Sequence, residues 1–346
     1  MTKISVGILG ATGAVGQQFI RLLHDHPWFE ITALAASERS AGKPYAEAVR
    51  WILPCPIPES VASMTVSACE PDLPCRIVFS GLDAAVAGAI EEQFAMAGYA
   101  VISNARNHRM RSEVPLLIPE VNPGHLALVR SQPYGKGFIV TNPNCSTTGL
   151  VLALKPLYDL FGIQQVHVTT MQAISGAGYP GVASLDIYDN VVPFIGGEEE
   201  KMMIEPQKIL GALCGDGIKN AVFPVSAHCH RVPVIDGHME SVSLTFAEKV
   251  EREDVINALK NFTSLPQKYE LPSAPRNPIV YFESERFPQP RLHRDLGKGM
   301  TVSVGKLQKD VLFDWSFVLL VHNTIRGAAG GAILNAELAV REGYVG

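Results

Sequence analysis

The sequence predicts an α/β protein in two parts: a parallel-sheet domain first, then an α+β domain with a mixed sheet, and a C-terminal helix that returns to the first domain. Three observations predict it. Ile4, Val6 and Ile8 alternate up to the turn Gly10-Ala-Thr-Gly-Ala-Val-Gly16, and a helical pattern and a second apolar run follow. Later apolar runs, Arg76–Leu82 and Tyr99–Asn104, each end in small polar residues. After about residue 138 the strands alternate openly, as in Val166, Val168, Thr170 and in Val242, Leu244, Phe246, which suits a sheet with one covered face.

The first element is strand, glycine turn and helix, with Val15, Phe19, Leu22 and Leu23 on one helix face, then the strand Ile31-Thr-Ala-Leu-Ala-Ala36. This is one βαβ unit of a Rossmann-type sheet. Its glycines permit a tight turn and let a phosphate approach the N–H groups at the helix start. The spacing is GxxGxxG, so a purely structural turn is the other reading. As a dinucleotide site, the turn offers Gly10, Thr12, Gly13, Ala14 and Val15. After the second strand the chain reads Ser37-Glu-Arg-Ser-Ala-Gly-Lys43. Ser37, Arg39 and Ser40 suit a 2′-phosphate, so NADP is expected rather than NAD. Glu38 is discordant, since it would serve an NAD ribose if it pointed inward. A solvated turn is the plain alternative. Ser80 and Gly81 close the next strand, where an open α/β sheet binds its ligand, and are candidates for the nicotinamide end.

The middle of the chain reads Phe138-Ile-Val-Thr-Asn-Pro-Asn-Cys-Ser-Thr-Thr-Gly149: strand, Pro turn, then Cys145 opening a helix. A thiol at a helix N-terminus is expected to have a lowered pKa. Asn144 is placed to donate to an oxyanion. The alternative is a buried structural thiol. A thiolate beside NADP suggests one reaction class: sulfur adds to an aldehyde, hydride passes to the cofactor, and a thioester remains for an acceptor. A proton shuttle is then needed. His228-Cys-His-Arg-Val-Pro-Val-Ile-Asp-Gly-His238 holds three histidines. Adjacent strand residues face opposite ways, so His228, Cys229 and His230 make a poor metal set and no metal is expected. His238, after an Asp-Gly turn and at a strand start, is the candidate base, against a structural histidine.

The boundaries expected are 1–140 for the cofactor domain, 141–323 for the catalytic domain and 324–346 for the returning helix. Residues 262–300, rich in Pro, Arg and Ser, are expected to contain surface loops. The 346 residues are 47% hydrophobic with net charge −5, which gives no support for nucleic-acid binding. The start already reads as a strand, so no signal peptide is expected. The most apolar run, Trp315–Val321, is too short to span a bilayer. The six cysteines lack paired spacing and are expected as free thiols of a cytoplasmic protein.

Together these segments resemble the aspartate-semialdehyde dehydrogenase family over nearly the whole chain. The resemblance rests on GATGAVG at 10–16, SERSAGK at 37–43, NPNCSTTG at 142–149, MQAISGAGYPG at 171–181, GGEEEKMMIEPQKILG at 196–211, RVPVIDGH at 231–238 and NTIRGAAGGA at 323–332. Their forms are similar to the branch that departs most from the common bacterial enzymes. The resemblance implies Cys145 as nucleophile, His238 as acid/base and Gln172 as the residue that positions the acyl group. It implies Arg231 for the substrate carboxylate, Glu199 for its ammonium, and Arg109 and Lys201 for inorganic phosphate. It adds Ser175, Gly176, Asn323 and Thr324 to the cofactor site, and implies a homodimer or homotetramer. Without it, Glu198–Lys201 reads as a solvated helix start and Arg109 as a surface residue. Arg231 and His238 are seven residues apart, so the chain must turn between them, and Pro233 and Asp236-Gly237 supply the turn. The activity implied is NADP-dependent reduction of L-4-aspartyl phosphate to the semialdehyde through a Cys145 thioester, a step that feeds lysine, threonine, methionine and isoleucine synthesis. A malonyl-CoA reductase would share Cys145, His238 and NADP but need no phosphate. An N-acetyl-glutamyl-phosphate reductase would have no free ammonium to bind. A non-catalytic NADP sensor would have no reason to hold Cys145, His238, Gln172 and Arg231 together.

Overall fold

Two six-stranded sheets organise the chain, and one helix carries it from the first to the second. The structure is a computed structural model and describes residues 2–345. Strands β1 (Ile4–Leu9), β2 (Phe29–Ala36), β3 (Ser67–Ala68), β4 (Ile77–Ser80), β5 (Ala100–Ser103) and β6 (Phe138–Thr141) form the first sheet in the order β3-β2-β1-β4-β5-β6, and every pairing is parallel. The strand order reverses between β1 and β4, and a crevice opens at their C-terminal ends. Helix Ala14–Leu23 packs Phe19, Ile20 and Leu23 inward, and the Phe19 ring lies 5.0 Å from that of Phe79 on β4. Each such side chain stabilises the fold by about 1.5–3 kcal/mol through burial.

The second sheet contains β7 (Ile163–Gln172), β10 (Val225–Arg231), β11 (His238–Phe246), β12 (Ile279–Phe282), β13 (Val302–Lys309) and β14 (Trp315–Val321); β8 (Ala212–Cys214) and β9 (Gly217–Lys219) form a separate hairpin. The order is β10-β7-β11-β14-β13-β12, with parallel and antiparallel pairs mixed. The alternation read from the sequence sets the faces. On β11, His238, Glu240, Val242, Leu244 and Phe246 are buried, while Met239, Ser241, Ser243 and Thr245 are open or half-open. Helices Cys145–Phe161, Glu198–Ile209 and Arg252–Lys260 contribute to the core on the covered side.

Helix Gly330–Arg341 joins the core of the first sheet through Ile333, Leu334 and Leu338, as the small-residue tail predicts. Residues 262–300 hold a strand as well as loops: β12 lies within them with Ile279 and Tyr281 buried. The strand has four residues, follows Pro278 and lies at the sheet edge, where prolines are tolerated, so the surrounding prolines mask it.

Candidate active site

Cys145 is the first residue of helix Cys145–Phe161, with three residues between it and the end of β6. The Asn144 side chain caps this helix and accepts from the N–H groups of Ser146 (2.9 Å) and Thr147 (3.2 Å). Cys145 therefore stands at the junction of the two sheets. The mixed sheet brings its partners to the same place. Arg231 ends β10 opposite Gln172, which ends the parallel strand β7, and His238 starts the antiparallel β11 on the other side of β7. The link between Arg231 and His238 crosses the end of β7, with Gly237 at φ +99°. Residues distant in sequence thus meet because three strands end together.

Cys145 Sγ lies 3.2 Å from His238 Nε2. The Ala173 N–H donates to His238 Nδ1 at 3.0 Å. A fixed donor at Nδ1 leaves the neutral ring with its hydrogen on Nε2, facing the sulfur. Burial, then the Arg231 charge, lower the His238 pKa to about 3, so the ring is neutral at ordinary pH. In this arrangement the neutral ring presents its Nε2–H to the sulfur. The thiol pKa moves opposite to the lowering expected at a helix start. Burial and the Glu198 charge push Cys145 up to about 12, and Arg109, the Ser146 N–H and Arg231 oppose them without prevailing.

Arg231 is buried and donates from Nη1 to the Ala173 carbonyl at 2.7 Å. A Cβ on Gly176 would lie 2.7 Å from Arg231 Nη1 and 3.0 Å from His238 Cε1. Gly176 therefore keeps open the space between the guanidinium and the imidazole. Gln172 is buried and donates to Thr170 Oγ1 at 3.2 Å.

Helix Glu198–Ile209 presents Glu198, Lys201 and Glu205 to this junction. Glu198 is 6% exposed; its Oε1 accepts from Asn144 Nδ2 at 2.6 Å and its Oε2 from Lys201 Nζ at 2.8 Å. Lys201 and these hydrogen bonds outweigh burial and hold Glu198 below the usual carboxylate pKa. Glu205 takes Arg109 Nη1 at 2.9 Å and the Asn144 N–H at 2.7 Å. Arg109 is buried, not a surface residue. The expected Glu199 is corrected. Its side chain is 46% exposed and accepts from the Cys229 N–H at 3.1 Å, on the flank of β10. The helix places the neighbouring Glu198 at the site instead, because a shift of one residue turns a side chain by about 100°. The amide of Asn144 is engaged by the helix cap and by Glu198, rather than standing free for an oxyanion.

At the cofactor end, Gly10 has φ +76°, and a Cβ there would lie 2.8 Å from the Gly81 carbonyl. A Cβ on Gly16 would run into the Gly10 carbonyl. Thr12, Ala14 and Val15 are half-buried and Gly13 is exposed at the helix start. No side chain caps this helix, so its first N–H groups are offered outward, as a pyrophosphate requires. Ser37 and Arg39 are exposed on the turn after β2, closed by Ser40 N–H to the Ser37 carbonyl at 2.8 Å. Glu38 is exposed on the same turn. Ser80 is corrected: it is fully buried in β4, and Gly81 alone forms the wall at this strand end, against Val15. Asn323 donates to Ser175 Oγ at 2.8 Å and accepts from the Gly237 N–H at 2.9 Å, while Thr324 Oγ1 accepts from Gln18 at 3.2 Å. These bonds tie the tail to both ends of the cleft.

Two structural partners escaped the sequence reading. Arg326 is 1% exposed and makes a two-pronged ion pair with Glu120, at 2.8 and 2.5 Å. Beside it, Gly327 packs on Cys145: a Cβ there would lie 2.6 Å from the Cys145 Cβ. The signal available was one arginine inside a run of small residues. Among the described residues no group of three or more His, Cys, Asp and Glu is arranged to hold a metal ion; His228 is exposed and Cys229 buried, as strand alternation requires. Among the described residues no helix is long and apolar enough to cross a membrane.

Two family models match the chain: "Semialdehyde dehydrogenase, NAD binding domain" over residues 5–129 and "Semialdehyde dehydrogenase, dimerisation domain" over residues 154–326. The chain is 53% identical over 342 residues to an aspartate-semialdehyde dehydrogenase of Methanothermobacter thermautotrophicus, covering 97% of this chain and 98% of the relative. It is 51% identical over 352 residues to the one from Schizosaccharomyces pombe, covering 98% and 99%. Among solved structures, aspartate semialdehyde dehydrogenase with NADP from Candida albicans superposes with a TM-score of 0.93 at 45% identity, covering 99% of this chain and 100% of that one. Aspartate semialdehyde dehydrogenase II of Vibrio cholerae, complexed with ASA, superposes with a TM-score of 0.78 at 28% identity, covering 99% and 100%.

Proposed function

The chain belongs to the aspartate-semialdehyde dehydrogenase family, and from that premise we propose how its own residues divide the work. It is an NADP-dependent oxidoreductase that interconverts L-4-aspartyl phosphate and L-aspartate 4-semialdehyde. The relatives do not support a CoA reductase or a non-catalytic sensor. The observation that carries the residue-level reading is Cys145 Sγ at 3.2 Å from His238 Nε2, with Arg231 and Glu198 beside them.

Cys145 is the nucleophile. Its thiolate attacks the acyl-phosphate carbonyl, the C–O bond to phosphate breaks, and a thioester remains. Bound NADPH supplies the hydride that reduces this thioester, and the C–S bond then breaks to return the thiolate. The sulfur rests as the thiol, so its proton leaves as the C–S bond forms and goes to the released phosphate, and the one proton of the overall balance restores the thiol when the C–S bond breaks. His238 need not carry it. Its Nε2–H stabilises the thiolate and the oxyanion that precedes it. Arg231 takes the substrate α-carboxylate with its free N–H groups, and Gly176 leaves the room. Glu198 takes the ammonium, because a carboxylate with two partners still has lone pairs to offer. Gln172 orients the acyl group. Arg109 and Lys201 bind phosphate. The turn from Gly10 to Val15 holds the pyrophosphate, Ser37, Arg39 and Ser40 the 2′-phosphate, and Gly81, Ser175, Gly176, Asn323 and Thr324 surround the nicotinamide end. The cofactor unit is taken as residues 1–140 with 324–346, and the catalytic unit as 141–323.

The half-open face of the mixed sheet and the exposed Leu185, Tyr188 and Phe194 support a homodimer or homotetramer, which light scattering would weigh. The six unpaired thiols fit a reducing compartment such as the cytoplasm. The test of the whole reading is NADPH formation from L-aspartate semialdehyde and NADP⁺. Turnover should require inorganic phosphate; equal turnover without phosphate would overturn the acyl-phosphate product and the roles of Arg109 and Lys201.

A further inference from the structure

We propose that Lys208 is a positioning residue for the phosphate subsite, fixing the loop from which Arg109 reaches the site. This rests on the reading of Arg109 as a phosphate ligand. Glu198, Lys201, Glu205 and Lys208 are spaced by three, four and three residues, so one face of the helix carries all four. The first three meet the reacting region. Lys208 lies one turn further on and is 3% exposed. Its Nζ donates to the carbonyls of Arg109 (2.6 Å), Arg111 (2.6 Å) and Val114 (2.8 Å). An ammonium has three N–H groups, and all three are used.

The loop has weak fastenings of its own. Its internal backbone bonds, Arg109 N–H to Arg106, Arg111 N–H to His108 and Val114 N–H to Arg111, are 3.3, 3.2 and 3.3 Å long. His108 is buried within it, with Nε2 3.4 Å from Glu91 Oε2. The three short bonds to Lys208, with the 2.6 Å ion pair from Arg111 to Glu92, are its tightest holds. The Arg109 side chain is aimed by two further contacts, Glu205 at 2.9 Å and the Asn104 carbonyl at 2.9 Å. A charged group presented for an anion loses most of its value when it is misplaced by an ångström. Lys208 touches no reacting atom, so its effect passes through Arg109.

Its charge state can be read in the same terms. Burial lowers the Lys208 pKa to about 8, with Glu113 and Glu205 opposing. The charged groups around it are Arg109, Arg111 and Glu113 on the loop, Glu205 on its own helix, and His125 on the turn Pro123–Ser131. A neutral amine has only two N–H groups, so above about pH 8 one loop carbonyl loses its partner.

The experiment measures KM for inorganic phosphate and for NADP⁺ in three variants and the unaltered enzyme. Lys208→Met should raise the phosphate KM at least about tenfold and leave the NADP⁺ KM within about twofold, and Lys208→Arg should restore much of the loss. In the unaltered enzyme the phosphate KM should climb as pH rises past about 8, and Lys208→Arg should lack that climb. If Lys208→Met folds and both constants stay put, or both rise together, the proposal is overturned. If it does not fold, a flat phosphate KM between about pH 7 and 9 in the unaltered enzyme overturns it instead. Arg109→Leu, run in parallel, separates the premise: an unchanged phosphate KM there removes the Arg109 reading itself. A raised one beside a silent Lys208→Met sinks only the role of Lys208.

Discussion

The two ends of the cleft are built by different means. The cofactor end is mostly backbone: a seven-residue turn, Gly10–Gly16, that works because particular positions have no side chain. The catalytic end is mostly side chains. They converge from the starts of two helices, the ends of β7 and β10, and the start of β11. A backbone site depends on where side chains are absent; a side-chain site depends on register, and one residue of error turns a group away. The two ends should therefore fail separately, and in different constants.

The largest separation is expected at the nucleophile. Cys145→Ala should lower kcat by at least about 10⁴-fold, the scale of removing a covalent catalyst. It should leave NADPH affinity within about twofold, read by titration of cofactor fluorescence. A parallel collapse of NADPH binding would mean the two ends do not act as separate units.

Next comes the register of helix Glu198–Ile209. Glu198→Gln removes a buried charge that holds Asn144 and Lys201. Breaking such a pair costs about 2–5 kcal/mol, or about 30- to 5,000-fold in kcat/KM. Glu199→Gln should stay within about threefold, since that group is half in water with one backbone partner. Equal losses, or the reverse order, would restore Glu199 to the site.

This pair marks the limit of what the sequence shows. The cofactor turn was legible because its residues are contiguous and its rule is local. Cys145 was legible as a helix-opening thiol, but its raised pKa was not, because burial and the Glu198 charge come from segments tens of residues away. Ser80 was misplaced because all four residues of its strand are buried, the polar end included. Arg326 and Glu120, 206 residues apart, carry no local signal of pairing. The resemblance pointed to Glu199, and nothing local in the sequence tells which of two adjacent glutamates the helix turns inward.

A smaller effect sharpens the role of His238. If Nε2–H acts as a donor to a thiolate, losing it in His238→Ala removes a charge-assisted hydrogen bond, about 1.5–3 kcal/mol or about 10- to 150-fold in kcat. His238→Gln, which retains an N–H, should recover part of this; a true acid/base would leave both variants equally poor. The thiol itself gives the sign with pH. A raised pKa keeps Cys145 protonated at neutrality, so its alkylation by iodoacetamide should climb about tenfold per pH unit toward about 12. A plateau near neutrality would show a lowered pKa and return the helix end to dominance.

The smallest expected effect tests the other end on its own terms. Gly10 is held at φ +76°, and a side chain there meets the Gly81 carbonyl, a backbone atom that cannot swing aside. Gly10→Ala should cost about 1–2 kcal/mol from its backbone conformation alone, with the contact adding to it. It should raise the KM for NADP⁺ and lower the melting temperature. Gly13 is extended at φ −77°, and a Cβ there finds only the Gly10 carbonyl, at 3.3 Å. Gly13→Ala should therefore fold like the unaltered protein, and any rise in its KM for NADP⁺ measures how closely the pyrophosphate approaches that Cα. At saturating NADP⁺ both variants should keep kcat within about twofold, since neither touches the junction around Cys145. A fall in kcat from Gly10→Ala would mean that strain at the turn reaches the nucleophile through Gly81 and the β1–β4 crevice. The two ends would then be one mechanical unit, and the separation in constants expected for Cys145→Ala would have to be sought in the kinetics of cofactor release instead.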